Sequence, residues 1–161
     1  MAVRVPCLQA ILQPGCEIMD DRLQNAFSLL RKIYARIPEF KCRPSCGKCC
    51  GPHAWSKLEE NSISRYVQEH KIQPQKGFLE PGIPGCPYLS ADKRCLIFPV
   101  RPLICRLYGV VENLRCPFPI KPRRILSRKD AYRLTNQVVE LSGKIFAKIQ
   151  NEDSFQEWKP A

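Results

Sequence analysis

The chain has 161 residues, 44% of them hydrophobic and 25% charged. That balance fits a folded globular protein, most simply one domain over 1–161 with a modest core, and excludes a disordered chain. The formal charge is +11 and stays positive even with eight cysteines ionised and two zinc ions bound. Anionic partners are therefore permitted, without any one being singled out.

Residues 1–16, MAVRVPCLQAILQPGC, fit three targeting readings poorly. As a signal peptide the apolar stretch is short and broken by Pro6 and Gln9. A lipoprotein signal ending at Cys16 would need a longer apolar run, and a membrane span needs about 20 apolar residues. The expectation is a cytoplasmic protein with no transmembrane segment. Cys7 and Cys16 then read as ordinary free thiols, with ligation left open.

Asp20-Asp21-Arg22 opens a helical pattern in which Leu23, Phe27, Leu30, Tyr34 and Ile37 form one apolar stripe. Asp20 or Asp21 is the expected cap and Pro38 the expected stop, giving a helix over about 20–37. A second helix is expected after Ser56, where Glu59 completes a capping box and Leu58, Ile63, Tyr66 and Val67 supply an apolar side. Residues 71–85 hold three prolines and three glycines and read as loop. Cys86–Leu89 and Arg94–Phe98 suggest a short hairpin about Ser90 to Lys93, and Arg101–Tyr108 a short helix with Pro102 in its first turn. After Ser127, the stripe Ala131, Leu134, Val138, Leu141, Ile145, Ile149 predicts a helix over about 128–150 that packs on the first. The tail around Phe155 and Trp158 either docks or frays. The fold class is thus mainly α with a small irregular, β-hairpin part: two longer helices bracket a cysteine-rich centre.

That centre carries the chemistry. Cys42, Cys46, Cys49 and Cys50 lie within Lys41-Cys-Arg-Pro-Ser-Cys-Gly-Lys-Cys-Cys-Gly51, and Cys86, Cys95, Cys105 and Cys116 follow. Thiolate sulfur is a soft donor, so these eight suit zinc or an iron–sulfur cluster. A disulfide framework would need an oxidising compartment, for which residues 1–16 give little support. Adjacent side chains diverge, so Cys49 and Cys50 either serve different sites or only one of them ligates. Eight thiols make two four-sulfur sites or one site with spare thiols, and spacing does not choose between these. Arg101 and Arg106, flanking Cys105, are placed to donate to thiolates or cluster sulfides and so to bind and tune the cofactor, or else to pair with surface carboxylates. His53 is either an imidazole ligand or an ordinary hydrogen-bonded histidine. His70 has no partner pattern.

The order C-x3-C-x2-C-C, Cys86-Pro-Tyr-Leu89, Arg101-Pro-Leu-Ile-Cys105-Arg106 and Cys116 resembles the YkgJ-type cysteine-cluster family, a zinc- or iron-chelating domain. The resemblance covers 42–116 and implies metal binding. The family also includes a domain of flagellin lysine methylases, which implies a looser link to protein methylation.

Other readings compete. Cys42-x3-Cys46-x2-Cys49 has the spacing of the radical S-adenosylmethionine triad, but no alternating strands and helices of a βα barrel are predicted, and Lys48 replaces the usual aromatic. Cys46-Gly-Lys-Cys49 lacks the strand–helix setting of a thioredoxin-like pair. No hydrolase triad order, phosphate loop or zinc-protease helix is visible, so no catalytic residue is assigned. Arg115, Lys121, Arg123, Arg124, Arg128, Lys129 and Arg133, with Phe118 and Tyr132, form either a solvated basic surface or a nucleic-acid contact. The expectation is a metal-binding protein whose cofactor is an iron–sulfur cluster, [4Fe–4S] first, or zinc. An iron centre implies electron transfer or assistance to a protein partner; zinc implies a structural or interaction module with a basic working face.

Overall fold

The computed structural model describes residues 14–43, 45–51, 53–75, 78–80 and 83–146. Cys7, Ile149, Phe155 and Trp158 lie outside this set. Cys16 lies in a helix whose side chains are described only from Asp21 onward.

The first helix, α1, spans Pro14–Tyr34 and starts earlier than its stripe suggests. Proline is tolerated in a first helical turn, where its missing N–H has no helical partner to lose. Asp20 and Asp21 are therefore interior residues, not caps. The helix also stops sooner: Arg36 N–H bonds to Ile33 and Ile37 N–H to Tyr34, tightening the chain into turns ahead of Pro38. Ala26, Phe27 and Leu30 bury the core face, with Leu23, Tyr34 and Ile37 packed beside them.

Helix α2, Lys57–Glu69, begins with the predicted capping box: Ser56 Oγ accepts from Glu59 N–H, and the Glu59 carboxylate accepts from Ser56 N–H. A two-stranded ribbon follows, β1 Phe78–Glu80 against β2 Ile83–Pro84. The expected hairpin over 86–98 shrinks to one antiparallel bridge, Leu89 with Cys95. Lys93 takes φ +60°, and the 3-10 turn Phe98–Val100 ends pairing before a second rung forms. Helix α3 is Leu103–Leu107, with Pro102 as its N-cap.

Helix α4, Arg128–Phe146, is capped by Ser127, whose Oγ accepts from Asp130 N–H. The expected extension to 150 lies beyond the described residues. Ala131, Leu134 and Val138 join α1 and α3 in one apolar core with Leu58, Val110, Val111 and Leu126. The chain is mainly helical, and its two longer helices flank the cysteine-rich segment. Among the described residues, no helix is long and apolar enough to cross a membrane.

Candidate metal centre

Two left-handed residues shape the first cysteine loop: Ser45 at φ +56° and Gly47 at φ +65°. They reverse the chain between Cys42 and Cys49, and Gly47 sits against Leu89, so a Cβ there would lie 3.2 Å from the Leu89 side chain. Cys86 N–H donates to the Cys50 carbonyl over 2.9 Å and stitches the second cysteine arm to the first. Arg101 precedes α3, which carries Cys105. Gly109, at φ +86°, then turns the chain toward Cys116. A Cβ on Gly109 would lie 2.5 Å from the Phe40 ring, so only glycine allows this approach.

All eight candidate cysteines are half-buried free thiols. Cys42, Cys46, Cys49, Cys105, Cys116 and Arg101 line one cavity of about 30 Å³, with Arg43 and Lys48 also in its wall. Burial pushes the thiols of Cys42, Cys86 and Cys95 above the usual range, and that of Cys105 to about 12. Cys49 differs. The Cys50 thiol donates to it, which lowers Cys49 to about 7 and raises Cys50. The neighbours raising Cys42 are Cys49, Cys46 and Cys116, whereas those raising Cys50 are Cys49, Cys95 and Cys86.

Of the three cations in the cavity wall, Arg101 acts on the thiols most widely. Its positive charge favours the ionised forms of Cys42, Cys49, Cys95 and Cys105, and its guanidinium lies 4.0 Å from the Phe98 ring centroid. Its Nε is buried and has no hydrogen-bond partner. A buried donor without an acceptor is costly, and an anionic thiolate or sulfide would supply one. Arg106 is engaged differently: Nε donates to the Arg101 carbonyl and Nη2 to the Pro99 carbonyl, each over 2.8 Å, and the guanidinium lies over Tyr34. The first holds the Arg101 carbonyl, and the second holds the chain two residues before it. His53 Nε2 bonds to the Cys49 carbonyl over 2.8 Å, and its ring leans on Tyr108. His70 stacks on Tyr66, at the far end of α2.

The residues fit a thiophilic metal. The donors are soft, gathered and unoxidised, and neutral burial leaves a guanidinium N–H unsatisfied among them. Among the described residues, no three of the thiols already converge on one point at metal-ligand spacing. Cys42 Sγ donates to the Arg43 carbonyl, and Cys46 Sγ accepts from Lys48 N–H. Sequence reading missed Phe40, Tyr108 and Gly109. Of these only Gly109, a glycine just past a short helix, carries a recognisable signal.

Fold and site together define a helical domain built around a cysteine cluster. The chain belongs to the CxxCxxCC family, described as "Putative zinc- or iron-chelating domain", whose model matches residues 41–138. That description supports metal binding, by zinc or iron. The first spacing here is one residue longer than the family's name, with Arg43, Pro44 and Ser45 between Cys42 and Cys46. No curated protein and no solved structure matches the chain.

Proposed function

We propose that this domain holds an iron–sulfur centre on its cysteines and serves electron transfer, or the activity of a partner enzyme. The observation that carries the reading is the buried Arg101 Nε, unpartnered in a wall of thiols. A cluster brings both thiolate and inorganic sulfide acceptors to such a donor, and hydrogen bonds to sulfur tune its potential. When bound, the cluster supplies one-electron chemistry at protein-set potentials. The protein's own residues do the rest. Cys42, Cys46, Cys49, Cys50, Cys86, Cys95, Cys105 and Cys116 are the candidate ligands, Arg101 offsets their charge, and Arg106 fixes the Arg101 peptide. Arg43 and Lys48 in the cavity wall would favour an acidic partner surface.

A second reading is a zinc-bound interaction module. Two observations favour it: the cavity is ion-sized, and the cations of 115–133 are all exposed, with Tyr132 67% exposed beside them. Such a surface suits phosphate contacts with base stacking. Iron, zinc and acid-labile sulfide per chain, measured on protein purified without oxygen, separate the two. Iron with matching sulfide supports the cluster; zinc without sulfide rejects electron transfer and favours the module.

A further inference from the structure

We propose that residues 147–161 return along α4 and seat Phe155 and Trp158 in an apolar groove between α4, α3 and the start of α2. This docking is independent of which metal, if any, the cysteines hold. The groove has a volume of about 770 Å³, inside the roughly 300–1,000 Å³ range of ligand-sized pockets. Leu103, Ile104 and Leu107 of α3 and Val138 and Val139 of α4 line it, with Trp55 from the segment ahead of α2. Val139 is 58% exposed, and an apolar side chain left open beside such a cavity marks a face without its cover.

Three observations name the segment that covers it. First, Thr135, Val139, Ser142 and Phe146 recur at spacings of four, three and four, so they share one stripe of α4. The first three line the groove, and Phe146 is the last residue of the helix, so the chain leaves α4 on the groove side. Second, the reach suffices. Val139 lies about 10 Å back along the helix from Phe146. Nine residues of extended chain, from Phe146 to Phe155, span about 30 Å. Tethering presents such a segment at an effective concentration on the order of millimolar. Third, Phe155 and Trp158 are the aromatic residues of 147–161, and Glu157 and Lys159 flank Trp158. The groove offers them apolar walls and a rim carrying the Lys57–Glu60 ion pair, with a charge of either sign for each. Residues 1–13 are the weaker occupant: they lead into α1, and no described α1 residue lines the groove. The groove also backs the cysteine loops, since His53 in its wall bonds to the Cys49 carbonyl and Ile104 precedes Cys105.

The test places a benzophenone amino acid at exposed Val139 of the full chain, irradiates it, and maps the joined peptides by mass spectrometry. An intrachain link to a peptide from 147–161, unchanged on dilution, is expected. Absence of that link overturns the proposal, whether copies of the chain, residues 1–13 or nothing is joined instead. A second measurement uses Trp55→Phe, which keeps an aromatic in the groove and leaves Trp158 as the one tryptophan. Its emission should be blue-shifted and shielded from acrylamide. Adding Val139→Glu, which puts a charge in the groove, should shift the emission to the red and raise quenching severalfold, with the helical circular dichroism unchanged. Water-like emission from Trp158 before Val139→Glu is added, or emission that does not respond to it, overturns the docking.

Discussion

The Tyr34 hydroxyl donates to Glu59 Oε1 over 2.8 Å, tying the last turn of α1 to the first turn of α2. The same carboxylate accepts from Leu103 N–H at 2.6 Å, the start of α3, and from Ser56 N–H and Oγ. One buried anion thus pins the starts of two helices and the end of a third. Tyr34→Phe should lower stability by about 1–2 kcal/mol and Glu59→Ala by more than about 3, read from urea denaturation.

The same contact has a pH signature. Burial first, then the Glu59 charge, hold the Tyr34 phenol neutral well above its ordinary value. Its contribution is therefore complete below the unfolded phenol value of about 10 and is lost as pH rises beyond it. Wild type should lose more stability between neutral and strongly alkaline pH than Tyr34→Phe does. Equal slopes for the two proteins would reject the assignment.

In the metal-free protein, Cys49 should be alkylated fastest of the eight described thiols at neutral pH, with Cys50 and Cys105 among the slowest. Cys49 accepts a hydrogen bond that favours its thiolate, whereas burial keeps Cys105 protonated to about 12. Because metal uptake must displace these protons, affinity should fall as pH is lowered. Peptide mapping after iodoacetamide, with and without metal, checks both points.

Gly109→Ala should destabilise by more than about 2 kcal/mol, since the new methyl would meet the Phe40 ring and the backbone holds φ +86°. In a Phe40→Ala background the steric part should disappear and only the backbone part remain. A double-mutant cycle measures the difference.

If iron is present, Arg101→Gln should lower the reduction potential by on the order of 50 mV, the one-electron equivalent of about a tenfold change. Removing a cation disfavours the more negatively charged reduced state. An unchanged potential would separate Arg101 from the cluster. Arg106→Gln, whose hydrogen bonds go to backbone carbonyls, should act mainly on stability.

The helices were legible because their signals are local. Ser56 and Glu59 stand at capping-box spacing, Ser127 precedes a clean stripe, and Leu58, Ile63, Leu134 and Val138 fall where periodicity puts core residues. What escaped is non-local. Glu59 looks like a cap residue in sequence, yet it also receives Tyr34 from 25 positions away. Ser142 interrupts the α4 stripe as a polar residue, yet it is buried, its Oγ accepting from Leu58 N–H over 3.1 Å and filling a vacancy in the first turn of α2. The early start of α1 escaped because a proline in a first turn reads equally well as a breaker. In the candidate site, the eight cysteines and Arg101 could be nominated by residue type. Their grouping could not, because it depends on loops closing over Gly47 and Gly109.

Val111 and Leu126 pair as parallel neighbours, so residues 112–125 leave the core and return to it at one place. Cys116 sits near the start of that excursion, facing the cavity, while Arg123 and Arg124 are exposed near its end. An ion held by Cys116 would divide one long ring of chain into shorter ones and reduce its freedom to enter a protease. Trypsin should then cut at Arg123 slowly in the loaded protein and quickly after chelation. The state of a half-buried sulfur centre would become readable as a band on a gel.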